Sequence, residues 1–160
     1  MRVLVLADTH IRPGRARRLP DAVYDELERA DAVIHAGDFI DASLVDELRG
    51  FAPLYAVLGN NDRFEGLPDA TVAQLGGVPV AVVHDSGPRA GRDGRMARRF
   101  PGARVVVYGH SHAPDCHAGL DGQLVFNPGS PTERRAQPRH TYGVLTIADG
   151  AVNAEIVPVD

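Results

Sequence analysis

The stretch "RVVVYGHSHAP", Arg104 to Pro114, is apolar and β-branched as far as Tyr108, then turns into a glycine and two histidines separated by one serine. A run this short and this continuous reads as a strand covered on both faces, as in a sheet packed between other layers. Four further runs share the character: "RVLVLA" (Arg2–Ala7), "AVIHAG" (Ala32–Gly37), "PLYAVLG" (Pro53–Gly59) and "PVAVVH" (Pro79–His84).

Helical patterns lie between the first of these runs. "PDAVYDELERA" (Pro20–Ala30) places Ala22, Val23, Leu27 and Ala30 on one face, and "DASLVDELRG" opens on an Asp41 cap and stops at Gly50. A third helix is expected over "DGRMARRF" (Asp93–Phe100). Strands alternating with helices predict βαβ units and a largely parallel first half. The later chain predicts antiparallel additions. "TVAQLGGVPVAVVH" reads as a hairpin turning at Gly76-Gly77, and "TYGVLTIADGAVNAEIVPV" as another turning at Asp149-Gly150. The expected class is α/β with mixed sheets, in one domain over residues 1–160.

Composition excludes several roles. The apolar share of 44% and the charged share of 24% are those of a water-soluble globule, and a net charge of −4 argues against a general nucleic-acid or membrane binder. All 17 basic residues are arginine. Cys116 is the only cysteine, so no internal disulfide can form and a reducing compartment is expected. The first apolar run is too short for a signal-peptide core, and no run could span a bilayer. A cytoplasmic protein is expected.

The polar residues at the end of each apolar run carry the chemistry. The first run leads to Asp8 and His10, the second to Asp38, the third to Asn60, the fourth ends on His84, and the opening stretch leads to His110 and His112. Ligands of α/β sheets bind beyond the carboxyl ends of the strands, so five ends could deliver seven side chains to one place. Imidazoles, carboxylates and an amide oxygen together make a mixed nitrogen and oxygen donor set suited to metal ions. In extended backbone His110 and His112 would project to the same side, with Ser111 pointing away and Gly109 allowing a sharp turn and close approach. Two neutral imidazoles so close can each serve a different cation, which favours two metals over one.

In this order the blocks "DTH" (Asp8–His10), "GD" (Gly37-Asp38), "GNND" (Gly59–Asp62), His84 and "GHSH" (Gly109–His112) resemble those of the calcineurin-like metallophosphoesterase superfamily. "NPGSPTERR" (Asn127–Arg135) resembles the tail of its small bacterial and archaeal phosphodiesterase subgroup. The resemblance implies a four-layer α/β/β/α sandwich. It implies that Asp8, His10 and His112 hold one divalent metal, that Asn60, His84 and His110 hold a second, and that Asp38 bridges them. Manganese is the expected metal, with iron, zinc and nickel as alternatives. The implied reaction is hydrolysis of a phosphodiester by in-line attack of a metal-bridging hydroxide, with activated monoesters as further substrates. Asp38, Asn60, Asn61 and His110 would be the catalytic residues.

Many phosphomonoesterases of the superfamily carry histidine where this chain has Asn61. An amide can hydrogen-bond a phosphoryl oxygen but cannot act as a general acid, so the change favours diesters. Asp85 stands where many relatives have glycine, either backing an imidazole or as a loop carboxylate. His35 reads as a packed core residue, and His117 and His140 as strand or loop residues. Arg12, Arg89, Arg134 and Arg135 are candidates to reach a substrate phosphate. A small phosphodiester is the expected partner, long nucleic acid and membranes are not, and homo-oligomerisation is left open. Two alternatives remain: a non-catalytic interaction scaffold on the same fold, the use a retromer subunit makes of it, and a nuclease.

Overall fold

The computed structural model describes residues 1–160 as two five-stranded sheets with three helices. In chain order the elements are β1 (Arg2–Leu6), α1 (Asp21–Leu27), β2 (Ala32–His35), α2 (Ala42–Arg49), β3 (Leu54–Ala56), β4 (Ala70–Leu75), β5 (Val78–Val83), α3 (Arg92–Arg99), β6 (Val105–Val107), β7 (Asp115–Ala118), β8 (Leu124–Asn127), β9 (Thr141–Ala148) and β10 (Ala151–Pro158). The first sheet runs β10-β9-β1-β2-β3 and the second β4-β5-β6-β8-β7.

Parallel pairing joins β1, β2 and β3, as the strand and helix alternation predicts, and also joins β5, β6 and β8. Both expected hairpins form, with Leu75 opposite Val78 and Ala148 opposite Ala151. The strands β7 and β8 were not anticipated. The first is a polar edge strand with alternating exposure, and the second is only four residues long.

Side-chain alternation sorts the core into layers. Val3 and Val5 of β1 face inward between the sheets, meeting Val80, Val82, Val105, Val107 and Phe126 of the second sheet. Leu4 and Leu6 face outward onto Val23 and Leu27 of α1 and Leu44, Val45 and Leu48 of α2. On the other side Ala81, Val83 and Val106 pack against Met96 of α3 and Phe100. The result is the expected α/β/β/α sandwich.

The helix α2 fills the span read for it between Asp41 and Gly50, α3 begins one residue earlier than expected, and α1 is shorter than its sequence pattern. α1 stops before Ala30, and its buried residues include Glu26, which receives the Nη2 of Arg2 at 2.9 Å. The Asp41 cap forms as read, its side chain accepting from the Ser43 N–H. No helix is long and apolar enough to cross a membrane.

Candidate metal centre

All seven strand-end side chains named from the sequence converge at one end of the sandwich. Asp8, Asp38, His84 and His112 are buried, His10 is half-buried, and Asn60 and His110 are exposed at the mouth. Asp8, His10 and His112 offer ligand atoms within 4.8 Å of one another, and so do Asp8, Asp38 and His84. The His10 Nε2 stands 3.3 Å and the His84 Nε2 3.5 Å from the same Asp38 oxygen, which puts Asp38 between two groups of donors. The third group closes on Asn60, whose Oδ1 lies 2.9 Å from His84 Nε2 and 3.1 Å from His110 Nδ1.

Backbone carbonyls set the tautomers. The Nδ1 of His84 donates to the Ala36 carbonyl at 2.7 Å, and the Nδ1 of His112 donates to the Glu133 carbonyl. Each Nε2 is thereby left as a lone pair in the neutral ring, directed into the site. As oriented, His84 Nε2 and Asn60 Oδ1 are both acceptors at hydrogen-bond distance, an arrangement that needs positive charge between them. Asp8 Oδ2, His10 Nε2 and His112 Nε2 are buried and have no hydrogen-bond partner. Buried polar atoms are rarely left unpaired, so this donor set fits a cation.

The electrostatics agree. Burial and the neighbouring Asp38 carboxylate push the Asp8 carboxyl up to about 8, against the pull of Arg135 and the His110 N–H. Burial also pushes on Asp38, but His10 and the Asn61 side chain and N–H outweigh it and hold that carboxyl well below the usual range. Burial lowers the His84 and His112 imidazoles, keeping them neutral.

The strand ends turn differently from the expectation. His110 and His112 are not in extended backbone; their φ angles are 70° and 59°. Asp8 and His10 (54° and 46°) and Asp38 and Ile40 (62° and 82°) repeat the pattern, a left-handed residue, one between, and a second left-handed residue. Three loops of one shape therefore present the donors, and Ile11 and Ile40 bridge two of them. Gly109 does not make the turn. Its role is closeness, since a Cβ there would lie 3.0 Å from both the Ala7 Cβ and Asp8 Oδ2. Gly37 combines both demands, with a φ of 91° and a Cβ position 2.8 Å from His84 Nδ1.

Several residues that organise the loops escaped the sequence reading. Asp62 accepts from the N–H groups of Asp38 (3.0 Å), Gly59 (2.8 Å) and Ile40 (2.8 Å). Ser130 donates to the Asp8 carbonyl at 2.8 Å and Thr132 to the Thr9 carbonyl at 2.5 Å. Asn127 Nδ2 reaches the Gly109 carbonyl at 3.2 Å and Ser111 Oγ at 3.1 Å. Their only sequence signal was membership of "GNND" and "NPGSPTERR". Asn61 turns onto Asp38, its backbone N–H 2.9 Å from Oδ1 and its amide 2.8 Å from Oδ2.

The remaining candidates separate. His35 is a core residue, stacked on Phe39, accepting from the Gly37 N–H and placing Nε2 3.0 Å from Thr9 Oγ1. Asp85 accepts from the Gly87 N–H at 2.8 Å and is a loop carboxylate; the partner of His84 is the Ala36 carbonyl instead. Arg135 donates to the His110 carbonyl at 3.3 Å, Arg134 folds onto the Gln137 carbonyl, and Arg12 is exposed. His140 pairs with Asp160.

Comparison with known proteins agrees with this geometry. A "probable metallophosphoesterase" of Methanocaldococcus jannaschii is 34% identical over all of this chain and 82% of its own length. A protein of the same organism named phosphodiesterase is 28% identical over 81% of this chain and 83% of its own. The solved structure of an Entamoeba histolytica Vps29 variant superposes with a TM-score of 0.77 at 25% identity, covering 99% of both chains. Residues 1–150 match the model of the calcineurin-like phosphoesterase superfamily domain, and the chain belongs to that family.

Proposed function

We propose that this protein is a phosphodiesterase that uses two divalent cations. The observation that carries the reading is the convergence of buried, unpartnered donor atoms from Asp8, His10 and His112 beside Asp38. Asp8, His10 and His112 would hold one ion, and Asn60, His84 and His110 the second. Asp38, with both flanking imidazoles near one oxygen, would be shared. When bound, such ions supply the charge that ionises a water near neutral pH and neutralises phosphoryl oxygens. Manganese suits the mixed oxygen and nitrogen donors, with iron, zinc and nickel as competitors.

The chain's own groups define the rest. Asn60 offers an oxygen without adding negative charge against an anionic substrate. Asn61 holds both Asp38 oxygens with one backbone and one side-chain N–H, and its second amide hydrogen is left for a phosphoryl oxygen. Its amide cannot act as the general acid that a poor alkyl leaving group needs, so diesters with good leaving groups are the preferred class. All four strand-end imidazoles are present, which favours an enzyme over a scaffold that had lost its ligands.

The test is metal content of the purified protein, together with hydrolysis of bis-p-nitrophenyl phosphate and p-nitrophenyl phosphate with several divalent ions. Manganese is expected to support the diester best. Equal or faster turnover of the monoester would defeat the argument from Asn61.

A further inference from the structure

A cleft of 640 Å³ opens where the start of α3 meets the loop that carries His110 and His112. Arg89, Arg92, Tyr108, Ser111, Asp115 and His117 are among its lining residues. The cleft and the metal centre share that loop. The two histidines serve the centre, while Ser111 between them faces the cleft and is tied by Asn127 to the backbone of Gly109.

The acidic groups of the cleft are already matched. His117 places Nδ1 3.1 Å from both Asp115 oxygens and Nε2 2.8 Å from Asp93 Oδ1, so both ring nitrogens donate and the ring is an imidazolium. Tyr108 donates to Asp115 at 2.7 Å. The cationic groups are not matched. Arg92 donates to the Tyr108 hydroxyl at 3.0 Å and to the Gly87 carbonyl at 3.5 Å, lies 4.6 Å from the Tyr108 ring centroid, meets no carboxylate, and keeps its Nε buried without a partner. Arg89 is exposed, with neither an ion pair nor a side-chain hydrogen bond. Two guanidiniums against two carboxylates that share an imidazolium leave the cleft with a positive balance. The surroundings reinforce it: six of the 17 arginines fall between Arg89 and Arg104, where Asp93 is the only acid, in a chain whose net charge is −4.

We propose that this cleft binds a second, non-scissile phosphoryl group, so that the preferred substrates are diesters bearing a further phosphate on one of their alcohols. The inference rests on the phosphodiesterase reading and narrows its substrate class. Guanidinium forks match phosphate geometry, and Ser111 adds a hydroxyl donor at the edge nearest the metal loop.

The metal-loaded protein should be given thymidine 5′-(p-nitrophenyl phosphate) and the same compound carrying a 3′-phosphate. The added phosphate is expected to raise kcat/KM about tenfold, mainly through KM. Arg89→Ala should abolish that gain while leaving the plain diester unchanged, and Arg89→Lys should restore part of it. Arg89 is exposed and makes no side-chain hydrogen bond or ion pair, so its loss does not threaten the fold. Calorimetric titration with thymidine 3′,5′-bisphosphate, thymidine 5′-phosphate and inorganic phosphate decides the matter independently of turnover. Weaker binding of inorganic phosphate in Arg89→Ala, with no advantage for the bisphosphate, keeps the phosphate site and makes the free ion its occupant. If wild type and Arg89→Ala handle every probe alike, the cleft is no phosphate site. Failure to cleave either diester would overturn the phosphodiesterase reading, with the titration still judging the cleft.

Discussion

Two clusters of histidine and aspartate flank the loop of His110 and His112 and come to opposite ends. At the candidate metal centre Asp8, His10 and His112 leave buried atoms unpaired. In the cleft Asp93, Asp115 and His117 satisfy one another. The residue types are the same; what differs is the backbone around them. At the centre the Ala36 and Glu133 carbonyls accept the Nδ1–H of His84 and His112, which fixes the tautomer, and burial keeps the rings neutral with inward lone pairs. No carbonyl reaches His117, so both its nitrogens meet carboxylates and a proton completes the set. A histidine's vocation is decided by its second nitrogen.

The contrast can be broken most severely at Asp38. Asp38→Ala should reduce diester hydrolysis by at least about 10³-fold, with the circular dichroism spectrum unchanged. A fully active variant would remove Asp38 from its place between the two donor groups. Asp62 tests whether the loop backbone sets the difference. Asp62→Ala frees three N–H groups and should weaken metal affinity about 10- to 100-fold, read by metal titration. Unchanged affinity would mean that the loops hold their shape without it.

The two clusters should also answer differently to pH. Without metal, Asp8 titrates at about 8 when folded, against an ordinary value of 3.8. Between these values the folded chain keeps a proton that the unfolded chain has lost, so stability falls as pH rises. Because a cation needs the carboxylate, binding near neutrality should release a proton, visible as a buffer-dependent heat in calorimetry. Added manganese should flatten the fall of Tm with pH. In the cleft, the hydrogen bond to Asp93 raises the His117 pKa; burial opposes it and Asp115 adds to the rise. That contribution is complete below the ordinary value of 6.5 and is lost as pH climbs through the folded value. With 37% of the His117 side chain exposed, it should amount to less than about 1 kcal/mol. His117→Gln should remove this slope and leave metal binding unaltered; an unchanged slope would separate His117 from its two carboxylates.

The strands other than β7 and β8, and both hairpins, were legible because continuous branched runs and Gly-containing turns have few other uses. The seven candidate donors were legible for a related reason: each ends such a run or follows it within four residues. What stayed hidden depends on contacts between distant parts of the chain. Ser130 reaches the Asp8 carbonyl across 122 residues, and nothing local to Ser130 announces it. The strand β7 was missed because its Asp115–Ala118 sequence lies on an edge, where its alternating exposure is not matched by an apolar alternation in the residues. The shape of the histidine loop was misjudged because a strand's alternation was extended past the strand's end. The backbone had already turned at His110.

That turning limits how the centre can be re-engineered. Asp8, His10, Asp38, His110 and His112 occupy a region of backbone space that aspartate, asparagine and histidine adopt at less cost than branched side chains, Ile40 being the one branched residue found there. The donor alphabet at these five places is thus restricted before any cation's preferences are consulted. Retuning which ion is held is better attempted at Asn60 or His84, whose backbones carry no such restriction.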